Sequence, residues 1–248
     1  GRARLVVAPD GTLLGYQGLH HHADVMAKTM QVLLATATDV RAVPEGTPLF
    51  PNEPILEVEA PLPEAQIVET LVINRVNVAM LIASKAARIV EAAAGRPVYD
   101  FGARRAHGID AGLVAARSAY LAGCAGTSNV LAARRFGIPL SGTMAHSYVQ
   151  ASGDEAEAFA TFAEIWPETV LLVDTYDVER ALEKVVALAD RLGQAFRVSA
   201  VRIDSGDLDA LSRMARARLD AAGLTGVKVF ASGGLDERRI AQLVAAGA

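Results

Sequence analysis

Cysteine, tryptophan and aromatic residues generally are scarce in this 248-residue chain. The single cysteine, Cys124, excludes an internal disulfide and fits a reducing, cytoplasmic compartment. Its neighbours are small and apolar, so a buried thiol is expected rather than a reactive one. With aromatics at 5% of residues, the 52% hydrophobic content is mostly Ala, Val, Leu and Ile, and the core must be built from these. Long apolar runs are missing too. Mean hydropathy is +0.27, yet nothing approaches the ~20 residues that span a bilayer, so no membrane partner is expected. No charged segment followed by an apolar one opens the chain, so no signal peptide is expected. An excess of positive charge is also absent. A net charge of −4 and a pI near 5.8 exclude the basic field that generic nucleic-acid binding needs. A phosphorylated small substrate is still compatible, because local Arg residues and Mg2+ can offset a mildly acidic whole.

The chain opens on Gly1 rather than Met and ends at Gly247-Ala248, directly after a helical pattern. A piece of a longer protein is therefore expected. Residues 1–36 form an unassigned N-terminal segment. Within it, Leu5-Val6-Val7-Ala8 and Leu13-Leu14 flank Asp10-Gly11, a hairpin signal, and a short helical pattern runs through Met26, Met30 and Leu33. Adjacent His20, His21 and His22 point in different directions on a helix or strand, so a shared metal site is not expected.

Residues 37–96 read as a smaller α+β domain. Strand-like stretches lie at Val40–Val43, Pro48–Phe50 and Ile55–Glu59. In the last, Leu56 and Val58 alternate with Glu57 and Glu59, as in a half-buried antiparallel strand. From Glu64 to Ala94 the pattern is helical, with Ile67, Leu71, Asn74, Val78, Leu81 and Ile82 near one face and Gly95 closing it.

From residue 97 to 248 strands and helices alternate. Strands are expected at Val98–Phe101, near Cys124, and at Ile138–Leu140, Val170–Val173, Val198–Ile203 and Val227–Phe230. The intervening helices start near Asp110, Asn129, Gly153, Asp177, Asp207 and Asp236. About six β-α units with short loops predict a parallel sheet with helices packed outside. The fold class is α/β: an irregular (β/α) barrel, incomplete at its C-terminal end, with the smaller α+β domain before it. An open doubly wound sheet is the alternative.

The barrel is preferred because polar residues fall at strand C-termini, which converge on one face of a barrel. The clusters are Phe101-Gly102-Ala103-Arg104-Arg105, Gly126-Thr127-Ser128, Gly142-Thr143-Met144-Ala145-His146-Ser147, Asp174-Thr175-Tyr176-Asp177, Arg202-Ile203-Asp204-Ser205-Gly206-Asp207 and Ala231-Ser232-Gly233-Gly234. Arg104, Arg105 and Arg202 are planar donors suited to phosphate or carboxylate. Ser232-Gly233-Gly234 precedes a helix and could be a nest of N–H groups for a phosphate monoester, or a ligand-free turn. Asp174, Asp204 and Asp207 could bind Mg2+ or face a developing positive charge, although Asp177 and Asp207 also suit plain helix caps.

Together these clusters resemble nicotinate phosphoribosyltransferase. Further stretches that carry the resemblance are Val43-Pro44-Glu45-Gly46-Thr47, Glu53-Pro54, Glu69-Thr70 and Lys85-Ala86-Ala87-Arg88. The match runs from about residue 37 to the end. The resemblance implies an α/β barrel that joins nicotinate to 5-phosphoribosyl 1-pyrophosphate, releasing pyrophosphate, coupled to ATP hydrolysis with Mg2+. It implies a catalytic set of His146, Arg202 and Asp204, with His146 transiently phosphorylated. It implies substrate contacts from Phe101, Arg104, Arg105, Ser128, Thr143, Asp174, Ser205, Gly206, Ser232 and Gly233, with Phe101 stacking on the pyridine ring. It also implies a homodimer with shared active sites. The metal ligands are left unassigned. Ser128 stands where nicotinamide-using relatives carry Asp, and a hydroxyl can donate to a carboxylate that an Asp would repel. Two departures stand out: residues 1–36 do not match the family's tyrosine-bearing N-terminal segment, and the chain stops before the family's glycine-rich phosphate loop. The alternatives are quinolinate or nicotinamide phosphoribosyltransferase, or a truncated inactive homologue. An aldolase would want a strand-end Schiff-base lysine, and Lys228 sits inside a strand.

Overall fold

A computed structural model describes residues 2–4 and 39–247. The expected Asp10-Gly11 hairpin, the three adjacent histidines and the Met26–Leu33 helix lie outside the described residues. Packing divides the chain into two units. One gathers the described residues of Gly1–Ala87 with Tyr99–Pro139, and the other joins Arg88–Val98 to Leu140–Ala248. This division does not follow the expected boundary at residue 97. The reason is visible inside the first unit, where Arg117 grips Glu45 through both guanidinium nitrogens at 2.5 and 2.7 Å, binding the Val43–Thr47 turn to a helix of the later segment.

In the first unit β1 (Arg2–Arg4), β2 (Asp39–Ala42) and β3 (Leu56–Pro61) form an antiparallel sheet in the order β1-β3-β2. The alternation read from sequence holds: Leu56, Val58 and Ala60 are buried, while Glu57 and Glu59 are half-exposed. Pro48-Leu49-Phe50 is no strand; it leads into a turn in which Phe50 N–H donates to Glu53 Oε2. Three prolines, at 48, 51 and 54, remove the ladder donors a strand there would need. The helix α1 (Leu62–Ala92) follows. Its buried side is not the expected face. Ala65, Val72 and Ala86 are buried, whereas Ile67 is 73% and Leu81 62% exposed.

The first parallel pair joins β4 (Tyr99–Asp100) to β5 (Gly126–Thr127), with α2 (Ile109–Leu121) between them and α3 (Val130–Phe136) after. Asn129 caps α3 by accepting from Ala132 N–H, and Gly137 ends it at φ +66°. The expected strand Ile138-Pro139-Leu140 shrinks to an isolated bridge at Leu140. Thr127 N–H donates to Pro139 O, but Pro139 has no N–H to return. Gly126 permits this approach, since a Cβ there would stand 2.5 Å from Pro139 O.

In the second unit α4 (His146–Ser152) and α5 (Glu155–Ile165) precede β6 (Val170–Leu172), α6 (Val178–Leu192), β7 (Ala200–Ile203), α7 (Leu208–Ala221), β8 (Lys228–Ala231) and α8 (Glu237–Ala245). The three strands pair in parallel in the order β6-β7-β8. Their core is Phe159, Leu171, Leu172, Leu182, Val201, Ile203 and Leu219, all essentially solvent-free. Asp177, Asp207 and Asp236 each accept backbone N–H groups at the first turn of α6, α7 and α8. This is the N-cap role open to the first two in the sequence. The mixed α/β class and its repeating parallel β-α units are therefore present. Within the described residues the parallel strands form two short sheets, not the one continuous ladder a closed barrel would show.

Candidate functional site

Three strand ends of the second unit and the segment before α4 bring together most of the expected polar residues. Arg202 sits on β7 between Val201 and Ile203, whose side chains enter the core, so its own points to the other face. The guanidinium is engaged through each of its three nitrogens. Nε donates to Ser232 Oγ, one terminal nitrogen to Thr143 Oγ1 and the other to Asp204 Oδ1, each at 2.7 Å. Ser232 Oγ in turn donates to Asp204 Oδ1 at 2.5 Å. Arg202 is thus an internal tie between the segment before α4 and the ends of β7 and β8.

Asp204 lies one residue past β7. Burial alone would push its carboxyl up. The Ser232 hydroxyl, the Arg202 guanidinium and the nearby His146 outweigh that and hold it below the usual carboxylate range. Asp174, two residues past β6, is more deeply placed, with its side chain only 2% exposed. Its Oδ2 accepts from Asp204 N–H at 3.0 Å and from Ser205 Oγ at 2.5 Å. Its Oδ1 is buried without a hydrogen-bond partner and faces His146 Nε2 at 3.9 Å. A carboxylate oxygen left unsatisfied in a buried position is costly unless a cation or donor meets it.

His146 is the first residue of α4, after an extended Ala145. Its side chain is 39% exposed while its Nδ1 is buried and unpartnered. The histidine is therefore mounted on a helix turn, not on a free loop. Met144, two residues earlier, is 2% exposed within the core and fixes the segment from below. Ser205, Gly206 and Gly233 are exposed at their strand ends. Gly206 and Gly233 both adopt positive φ, +78° and +92°. The Ser232-Gly233-Gly234 turn does not lead straight into a bare helix end, because Asp236 already caps α8.

The remaining expected residues belong to the first unit. Asp100 organises them: its Oδ1 accepts from Gly102 N–H and its Oδ2 from Thr127 Oγ1, both at 2.9 Å. Ser128 N–H and Oγ both donate to the Asp100 carbonyl, at 2.9 and 3.3 Å. Phe101 is half-buried, and Arg104 and Arg105 are exposed on a single 3-10 turn, Ala103–Arg105. The sequence alone points to neither Asp100 nor Thr127 as a site residue. Their signal is position: each ends its strand, directly before Phe101 and Ser128. Among the described residues no group of three or more His, Cys, Asp or Glu side chains could hold a metal ion. None of the described helices is long and apolar enough to cross a membrane.

The model of the nicotinate phosphoribosyltransferase (NAPRTase) family matches residues 97–247. A nicotinate phosphoribosyltransferase of Mycobacterium tuberculosis is 62% identical over 208 residues, covering 84% of this chain and 45% of that protein. The crystal structure of human nicotinic acid phosphoribosyltransferase superposes with a TM-score of 0.73 at 29% identity, over 97% of this chain and 63% of that one. That of a nicotinate-nucleotide pyrophosphorylase from Pyrococcus furiosus gives 0.76 at 32% identity, over 98% and 59%. The chain spans less than half the length of its Mycobacterium relative. On the family match over residues 97–247, the chain belongs to the nicotinate phosphoribosyltransferase family.

Proposed function

We propose that the complete protein joins nicotinate to 5-phosphoribosyl 1-pyrophosphate, coupled to ATP hydrolysis. The pyridine nitrogen attacks C1 of the ribose, the C1–O bond to pyrophosphate breaks, and nicotinate mononucleotide and pyrophosphate leave. The nitrogen carries no proton, so no general base is needed. Positioning and charge stabilisation at an oxocarbenium-like centre carry the rate. In the coupled cycle His146 takes the γ-phosphoryl group of ATP, releasing ADP, and water later cleaves the N–P bond to give phosphate.

The observation that carries this reading is the polar cluster at the strand ends of the second unit. There the half-exposed His146 stands beside a buried carboxylate and the Arg202–Asp204–Ser232 network. The unsatisfied Asp174 Oδ1 fits Mg2+, a hard cation that is usually held by one or two carboxylates and substrate phosphates. When bound, Mg2+ neutralises charge developing on the departing pyrophosphate. Asp204 faces the ribose, and Ser205, Gly206, Ser232 and Gly233 bind phosphate-bearing groups. In the first unit Phe101 stacks on the pyridine ring, Arg104 and Arg105 attract the anionic substrates, and the Ser128 hydroxyl turns from its 3.3 Å bond to the Asp100 carbonyl to donate to the nicotinate carboxylate. Barrel closure of the parallel strands, a cytoplasmic location and a homodimer with shared sites belong to the same proposal. The exposed Ile67, Ile73 and Leu81 of α1 support a covering protein surface.

Quinolinate and nicotinamide are the competing substrates, as the alternatives beside the family resemblance. Turnover of nicotinate, nicotinamide and quinolinate by the complete protein, with and without ATP, separates the readings. Nicotinate turnover stimulated by ATP is expected. Preference for quinolinate, or for nicotinamide, would sink the proposal.

A further inference from the structure

The two residues assigned to the nicotinate ring and its carboxylate are each closed into a turn by their neighbours. Phe101 lies between Asp100 and Gly102, and Asp100 Oδ1 accepts from Gly102 N–H at 2.9 Å. Ser128 lies between Thr127 and Asn129, and Thr127 Oγ1 accepts from Asn129 N–H at 3.1 Å. A side-chain oxygen bonded to the N–H two residues on mimics a backbone turn and fixes the residue between. One bond joins the two turns: Thr127 Oγ1 donates to Asp100 Oδ2 at 2.9 Å. Asp100 and Thr127 are register partners at the ends of β4 and β5, so this bond crosses directly from strand to strand.

The direction of that bond is fixed. An ionised carboxylate only accepts, so the Thr127 hydroxyl gives it its single proton and keeps its lone pairs for Asn129 N–H. Thr127 is fully buried, so water does not compete for either contact. Removing the hydroxyl therefore takes a partner from Asp100 Oδ2 and from Asn129 N–H at once. Ser128 N–H donates separately to the Asp100 carbonyl at 2.9 Å, a bond that stays when the Ser128 hydroxyl turns to substrate. Asp100 thus holds the Phe101 turn by its carboxylate, and the Ser128 turn by its carbonyl and through Thr127. We propose that Asp100 and Thr127 are positioning residues that set the separation and angle between Phe101 and Ser128, and so fix how tightly a pyridine carboxylate is held. Both act through Phe101 and Ser128, not by contact with the ring. The inference rests on the nicotinate reading above and adds to it the pair that builds the ring site.

Thr127→Val removes the hydroxyl at nearly constant volume, and Thr127→Ser keeps it. Asp100→Asn keeps the shape but has one oxygen for two donors. In the complete protein, kcat and KM for nicotinate are read for each variant, with KM for 5-phosphoribosyl 1-pyrophosphate beside them. The grip on the carboxylate is the same in the ground state and the transition state, so weakening it raises KM and spares kcat. KM for nicotinate should rise about 10- to 100-fold in Thr127→Val and Asp100→Asn, as for a lost hydrogen bond to a charged group. KM for 5-phosphoribosyl 1-pyrophosphate should hold, and Thr127→Ser should restore the wild-type value for nicotinate. An unchanged KM for nicotinate overturns the link, with or without a lower kcat, because a merely structural role reduces only the folded, active fraction. So does an equal rise in both KM values, or a Thr127→Ser variant as impaired as Thr127→Val. Should Thr127→Val fail to fold, Asp100→Asn decides by the same criteria. Wild-type protein that does not turn over nicotinate overturns the parent reading, and the link with it.

Discussion

Replacing Gly233 by alanine tests the geometry of the strand-end cluster. Gly233 has φ +92°, and a Cβ built there would stand 2.2 Å from Asp204 O. Gly234, its neighbour, also has positive φ at +61°, but a Cβ there meets nothing within 4 Å. Both substitutions incur the left-handed backbone penalty, about 1–2 kcal/mol. Both also stiffen the unfolded chain by the same amount, which cancels in the comparison. Only Gly233→Ala adds a backbone clash, and forced overpacking costs about 1–3 kcal/mol. The expected loss is therefore roughly 2–5 kcal/mol for Gly233→Ala against roughly 1–2 for Gly234→Ala. The turn can escape the clash only by moving away from β7, which pulls Ser232 Oγ from Asp204 and Arg202. Urea unfolding of both variants reads the difference as a shift in midpoint at constant slope. Equal destabilisation of the two would refute the close approach of Gly233 to Asp204, and with it the tie between the ends of β7 and β8.

Other consequences concern single groups. Ser128→Asp should lower kcat/KM for nicotinate by about 10- to 100-fold, as expected for a repelled or unpaired carboxylate, with nicotinamide less affected; parallel losses for both would remove Ser128 from substrate choice. Burial, with a smaller push from Asp100, raises the Cys124 thiol to about 11. Native protein at pH 8 should therefore react with a thiol reagent far more slowly than urea-unfolded protein, and matching rates would contradict the burial. The Asp204 carboxyl is depressed in the folded state, so its stabilising effect is present above about pH 4, the unfolded value, and is lost as pH falls through the lower folded value. Asp204→Asn should flatten the acid limb of the stability curve below about pH 4; an unchanged limb would mean that other carboxylates set it.

What could be read from the sequence were the features whose cause is local. Asp177, Asp207 and Asp236 announce helix starts because a short carboxylate reaches the N–H groups two or three residues on. The alternation in β3 is visible because one face is buried. The buried face of α1 was not legible. Periodicity follows the large residues, such as Ile67 and Leu81, while the helix packs through Ala65, Val72 and Ala86, whose small size allows close approach. Candidate site residues could be named because glycine, aspartate and arginine cluster at strand ends. Their partners could not, since Arg202 meets Thr143 and Ser232 across 59 and 30 residues of chain. The sequence shows Arg202 as a planar donor suited to an anion, but not the side chains that hold its guanidinium in the structure. Ile138-Pro139-Leu140 read as a strand because its apolar character is local, whereas the ladder donor that Pro139 lacks matters only once β5 lies alongside.

The central claim is that His146 accepts phosphate within a phosphoribosyltransferase site. Incubating the complete protein with γ-labelled ATP, followed by phosphopeptide mapping, tests it most directly. The account requires acid-labile label on the peptide that carries His146, and its loss in His146→Asn. Label on another residue, or label that survives His146→Asn, would contradict it.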